Sequence, residues 1–411
     1  MIGAATLVAF TGVPTRADGP TEADFLIASG LYRRLTSGEF LVHTNPLYSA
    51  ILSKVVAQDY MGAADIITDS TNGADAFYNN TVADLLQTVN NTGTAVGERN
   101  DITAMMLCAV KYDMTPLELL TEDFICYDPT ATPAGIPYAI DDTTCGGTTV
   151  RDCNSGHYAA VWSSTNPRRS LVKARRPISQ GTGLLTSWTW ATNFDFAGTA
   201  RRNEKAVNEN LFLASMEALR SEGGIPTDGI RKDIPSDDPM YNADCIKCHT
   251  GMDWRVGAYM DKQVSADNKT FTRFFKDKLN VNEVNGGRNL VDTRFKYFFT
   301  QQQNQIYGIN ESKHVVKDYS PGVKFIEGTG LDEIAYIIGN SRGYHEGFVK
   351  RIVAQMYMNR LFSITNFTQD EWDILNSQSE TIKAFTDVFY QEQNFRKLWG
   401  RIAVWYTVGA K

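Results

Sequence analysis

The segment NADCIKCHTGMD, residues 242–253, sets Cys245 and Cys248 two residues apart and follows them at once with His249. Six cysteines and five histidines in 411 residues give roughly 0.001 random matches to this spacing, so coincidence is a poor account of it. Three chemistries use such a spacing. Zinc needs four ligands around a tetrahedral ion. Here seven residues separate Cys145 from Cys153, and no His-x3–5-His occurs to supply a second pair. A redox dithiol sits at a helix start after a strand, whereas DDPMYNAD before Cys245 reads as a loop. In the third, two thiols add to the vinyl groups of one haem and the adjoining imidazole reaches the iron. The spacing matches c-type attachment best, and zinc and the dithiol remain as alternatives.

One haem c would then be bound covalently by Cys245 and Cys248, with His249 as proximal iron ligand. A helical turn from Cys245, capped by Asp244, places all three on one side. Met252 follows three residues after His249 and shares that side, which makes it a poor distal ligand. His345 falls on an apolar helical face with Val349, Ile352 and Met356, the pattern of a core histidine. Met356 reads as core too. Met260 and Met358 are further candidates, and His43 and His314 stand in polar surroundings typical of the surface. His157, in NSGHYAA, is no better than these on pattern alone. Haem propionates call for cations, arginine above all. Arg201, Arg202 and Arg231 (with Lys232) lie on the approach to the motif, and ordinary surface charge is the competing reading.

The elements that must position these residues read as mainly α. Apolar periodicity marks helices over Asp24–Leu35, Ala50–Val56, Val82–Val89 and Ile102–Val110, and Thr115-Pro116 reads as an N-cap followed by the first helical residue. Loop-rich sequence occupies 127–156. The aromatic run GLLTSWTWATNFDF fits a strand or a buried helix. A helix is expected over Asn203–Glu222, stopped by Gly223-Gly224. Residues 252–328 look irregular; short β pieces are expected near the loops, but no alternation is sustained enough for a sheet. Helices follow at Leu331–Ile338, Tyr344–Leu361, Gln369–Ser377 and Gln391–Val408. This predicts a helical N-terminal domain (1–140), a connecting loop and helix region (141–235), and a cytochrome-c-like helical region carrying the haem (236–411).

The composition, 43% hydrophobic, is that of a folded chain,. A net charge of −7 without a basic stripe argues against nucleic acid,. No apolar run is long enough to span a membrane. With Cys245 and Cys248 assigned, four cysteines remain. Cys145–Cys153 and Cys108–Cys126 are the expected disulfides, with four buried thiols as the alternative. Disulfides and covalent haem both point to an exported protein, periplasmic or extracellular. Ile2–Val13 reads either as a signal-peptide core or as a first helix ended by Pro14. The missing basic residues favour the helix, with an export signal upstream.

The chain resembles an uncharacterised bacterial family of mono-haem c-type cytochromes related to planctomycete-type cytochrome-like domains. The resemblance runs through AFTGVPT, NDITAMMLCAVKYDMTPLELLT, GHYAA, GLLTSWTWATNFDFAGTARRNEKAVNENLF, IRKDIP, CIKCHTGMD and GTGLDEIAYIIGNSRGYHEGFVKRIVAQMYMNR. It implies a mostly helical exported protein with one covalent haem. Its His-Tyr pair, matched by His157-Tyr158, implies His157 as the distal ligand. TGVPT resembles the end of the family's first helix. The loop of Cys145 and Cys153 looks like an insertion, and cysteines that related chains carry near Gly347 and Tyr357 are absent.

Three functions are consistent with these features. A haem with two protein ligands would transfer electrons to a redox partner protein, and two histidines would favour a lower potential than His/Met. An open distal face would make a peroxidase or oxygenase, with His157 as base and Arg201 or Arg202 as cationic donor. In the third, haem is a folding staple for a structural or binding protein.

Overall fold

The computed structural model describes residues 19–90, 101–122, 124–127, 170–175, 183–187, 190, 194, 200–215, 218–219, 225–226, 246–259, 294–359 and 367–409. It is mainly α. Local rules set the first helices. Helix α1 (Glu22–Leu35) begins at Thr21, whose hydroxyl accepts the Asp24 N–H while the Asp24 carboxylate accepts the Thr21 N–H at 2.8 Å,. Helices α2 (Tyr48–Val56) and α3 (Tyr60–Thr68) follow. A π-helical turn over Phe77–Val82 leads into α4 (Ala83–Leu85) and α5 (Gln87–Asn90), so the helix expected over Val82–Val89 is broken into pieces. Helix α6 spans Asp101–Lys111 and α7 spans Pro116–Thr121. Thr115 caps α7, paired reciprocally with Glu118 and with Pro116 at the first turn.

Cys108 of α6 bonds Cys126 of β1 (Phe124–Tyr127), as expected, with 5.9 Å between Cα atoms. Strand β2 (Val172–Arg175) pairs antiparallel with β1. Cys145, Cys153, the N-terminal segment 2–13 and most of the loop 127–156 lie outside the described residues. The aromatic run contributes a 3-10 turn at Gly183–Thr186 and the buried Trp190, which donates to Asn203 Oδ1 at 2.9 Å.

Helix α8 is Ala200–Asn210, much shorter than the expected helix to Glu222. Leu213 has φ +50°, and Arg351, from a helix 141 residues away, donates to the Asn210 carbonyl at 2.9 Å. A tertiary cap thus ends a helix whose apolar pattern continues in sequence. Helices α9 (Ile246–Asp253) and α10 (Val256–Tyr259) follow.

The absence of a sheet was the wrong expectation. Strands β3 (Arg294–Thr300), β4 (Val316–Ser320) and β5 (Val323–Thr329) form an antiparallel sheet in the order β3-β5-β4, with Phe298 opposite Phe325. Phe295, Tyr297 and Phe299 of β3 join the main core, while Phe298 packs with Ile225, Val323 and Phe325 on the opposite face. Arg294, Lys296 and Thr300 on that face stay at least partly exposed, so the polar–apolar alternation is broken only at Phe298, too short a pattern to advertise the strand,.

Helix α11 (Gln301–Tyr307) links β3 to β4. After β5 come α12 (Gly330–Gly339), α13 (Arg342–Tyr357), α14 (Gln369–Ser377), α15 (Ser379–Glu392) and α16 (Phe395–Val408). The helix expected near Gln391–Val408 is α16, which starts at Phe395; α15 before it was not expected and ends at Gln393, which has φ +54°. One contiguous core joins residues from Ala28 to Ala403 and draws on all three predicted regions. Helix α16 lies against α1 and α3. Gly30 allows its approach: a Cβ there would come 2.9 Å from Thr407 Cγ2. Gly347 of α13 sits over the backbone just after α8, where a Cβ would fall 2.1 Å from the Leu211 carbonyl oxygen. Among the described residues no helix is long and apolar enough to cross a membrane.

Candidate haem-attachment site

Helix α9 begins at Ile246, directly after Cys245, and carries Cys248 and His249 in its first turn. Asp244, Cys245 and the side chain of Cys248 lie outside the described residues. His249 is partly exposed, and its Nδ1 faces Asp253 Oδ1 at 3.2 Å, one helical turn on. The Asp253 carboxylate is buried and is held by Arg201 of α8: Nε donates to Oδ1 at 2.6 Å and Nη2 to Oδ2 at 3.2 Å. Burial alone would raise the Asp253 pKa. The hydrogen bonds from His249 and Arg201, with the guanidinium charge, overcome it and hold the carboxyl below the usual range,.

A second crossed pair lies alongside. Arg255 and Glu204 are both 1% exposed. Arg255 Nη1 donates to Glu204 Oε1 at 2.5 Å and to Tyr307 Oη at 2.9 Å, and Nη2 donates to the Phe298 carbonyl at 2.7 Å. Glu204 also accepts from Tyr259 Oη at 2.9 Å and from Asn208 Nδ2 at 3.1 Å. The guanidinium stacks over the Tyr297 ring, 3.7 Å from its centroid,. Burial opposes the Arg255 charge, yet the oxygens of Tyr297, Tyr307 and Glu204 push its pKa well above the ordinary value. Burial likewise pushes the Tyr259 and Tyr297 hydroxyls well up.

Arg201 and Glu204 are three residues apart on α8 and so share one face. That face meets the motif segment with charges crossed, Arg201 to Asp253 and Glu204 to Arg255. The turn between α9 and α10 is fixed to the sheet by Lys296 N–H donating to the Trp254 carbonyl at 2.9 Å.

His157, Arg231 and Met260 lie outside the described residues, so their expected roles are not placed. Arg202 is exposed on α8. Arg201, expected beside a propionate or at the distal face, is engaged by Asp253. His345 is a core histidine as read: fully buried, with Nδ1 2.9 Å from the Ser341 carbonyl oxygen and Nε2 beside the Gln393 amide. Met356 is buried, Met252 and Met358 are partly exposed, His43 is exposed, and His314 is half-buried. Among the described residues no three His, Cys, Asp or Glu side chains cluster as a metal site. Sequence reasoning passed over Asp253, Glu204 and Arg255. The signal available was the i,i+4 spacing of His249 and Asp253.

No family model, curated protein or solved structure matches the chain. The family resemblance therefore rests on its quoted segments alone.

Proposed function

We propose that the chain is an exported c-type cytochrome that carries one haem and transfers electrons to a redox partner protein. The observation that carries this is His249, directly after Cys245 and Cys248 in sequence and held through Nδ1 by a buried carboxylate. The residues fit the group. Metal-bound imidazoles donate their second nitrogen to a carboxylate or carbonyl, which fixes the ring and its tautomer. Cys245 and Cys248 would bind the porphyrin edge and His249 Nε2 the iron. Bound there, the haem supplies an iron that cycles between ferrous and ferric forms. His157 is the leading distal candidate through the resemblance, and Arg201, Arg202 and Arg231 stand as candidate propionate partners. The Cys108–Cys126 disulfide supports an oxidising compartment, periplasmic or extracellular,.

A second reading, a haem enzyme of the peroxidase or oxygenase type, is favoured by the same carboxylate. An anionic partner on Nδ1 raises the basicity of the imidazole and its electron donation to a bound metal. Optical spectra of the purified protein, oxidised and reduced, with and without carbon monoxide, separate these. Low-spin bands indifferent to carbon monoxide mean two strong protein ligands and support electron transfer, and His157→Ala then turns the haem high-spin. A high-spin ferric form that binds carbon monoxide on reduction supports the enzyme. Absence of haem bands from a host that matures c-type cytochromes overturns both and returns Cys245 and Cys248 to zinc or dithiol chemistry.

A further inference from the structure

We infer that Arg201 and Asp253 are positioning residues that set the electron donation of His249, with Arg201 acting on the haem iron through Asp253. This rests on the c-type reading above. Arginine nitrogens only donate hydrogen bonds. An Asp253 carboxylate gripped by Nε and Nη2 is therefore an acceptor, and the proton between it and His249 sits on Nδ1. That tautomer leaves Nε2 as the basic nitrogen, which is what a metal requires. Oδ1 is shared between two donors. The Arg201 bond, 2.6 Å, is shorter than the His249 contact, 3.2 Å. The guanidinium therefore draws negative charge away from the oxygen that faces the imidazole. Asp253 strengthens the donation of His249, and Arg201 moderates that effect.

The two substitutions have opposite signs. In Asp253→Asn the ferrous form gains, and the midpoint potential rises by about 59 mV for a tenfold change in the one-electron equilibrium. In Arg201→Gln the carboxylate turns its full charge on His249 and the potential falls. Because any cation near a haem moves its potential, the deciding readout is the His249 Nδ1–H proton resonance of the reduced, diamagnetic protein. It reports the hydrogen bond itself. It moves upfield in Asp253→Asn and downfield in Arg201→Gln, and in the double variant it stays where Asp253→Asn put it. Asp253→Glu, which keeps the charge, returns potential and resonance toward wild type. Haem content is measured first. If the wild type carries no covalent haem, the underlying reading falls and this inference with it. If haem is present and Asp253→Asn moves neither potential nor resonance, this inference alone is overturned. An Arg201→Gln shift in potential with the resonance unmoved overturns the role of Arg201 through Asp253. Should Asp253→Asn fail to retain haem, the downfield shift in Arg201→Gln still decides.

Discussion

Glu204→Gln isolates the charge beneath the site with little change of shape. The substitution leaves Arg255, 1% exposed, without its anion. Tyr307 Oη, the Phe298 carbonyl and the Tyr297 ring still face the guanidinium, and such neighbours soften the loss. A stranded buried charge costs about 3–5 kcal/mol, and the surviving acceptors place Glu204→Gln near about 3 kcal/mol. Arg255→Met strands Glu204 instead and costs a similar amount, since only Tyr259 and Asn208 then donate to it among the contacts above. Removing both charges removes the stranding. What remains is the unmet hydrogen bonding of Tyr307 Oη and the Phe298 carbonyl, both of which lose the donor that Arg255 supplied, about 1–3 kcal/mol,. The double variant is thus expected at about 3 kcal/mol, against about 6 kcal/mol for the sum of the singles. Urea unfolding of the three variants, followed by far-ultraviolet circular dichroism, measures the difference. Additive losses would refute the coupling. A Glu204→Gln loss below about 1 kcal/mol would mean that the pair is solvated.

Two further outcomes follow from the buried core. Burial holds the His345 pKa below the ordinary imidazole value, against the hydrogen bonds to Ser341 and Gln393. As pH falls below about 6.5 the unfolded chain takes up a proton that the folded protein refuses. The stability His345 contributes is therefore present above about pH 6.5 and is lost as pH falls toward the folded-state value. His314, lowered for the same reason, adds with the same sign. Melting temperatures at about pH 7.5 and pH 5 should diverge less in His345→Gln than in wild type; an unchanged divergence refutes the assignment. Replacing both Cys108 and Cys126 with alanine opens a crosslink of sequence separation 18 and should cost about 3 kcal/mol. Equal denaturation midpoints for the variant and the oxidised wild type would show that the crosslink does not restrain the unfolded chain.

What could be read from the sequence was what short-range physics decides. Thr115, Pro116 and Glu118 fix α7 within four residues, and the structure has the expected cap. His345 could be sorted into the core because its neighbours at helical spacing are apolar. The elements that escaped are set by partners far away in sequence. Helix α8 ends where Arg351 reaches the Asn210 carbonyl. The break at Gln393 puts an amide beside His345, 48 residues away. Strand β3 breaks its alternation at Phe298, which joins a different cluster from Phe295, Tyr297 and Phe299. In the site, Asp253 stood at a visible spacing from His249, but its pairing with Arg201 joins helices 52 residues apart. Arg201 read as a propionate partner or as surface charge because its neighbours in sequence do not mark the pairing with Asp253.

The bracing of α8 bears on why a chain of this length surrounds one short motif. Its Arg201 and Glu204 grip the motif segment through crossed charges, and its last turn is held by Arg351 of α13. The same Arg351 reaches Thr88 Oγ1 at 3.2 Å in the N-terminal helices. The His249 imidazole is thereby tied, through two helices, to the common core. A haem acting only as a folding staple needs a thiol anchor and an apolar bed. It does not need an imidazole oriented by a buried carboxylate that is itself oriented by an arginine. Fixed dipoles and charges that are already in place when an electron arrives need little rearrangement, and that is the property electron transfer and haem catalysis share. For the haem proposed above, the bracing favours a functional redox role over a purely structural one, and the distal ligand would separate carrier from enzyme.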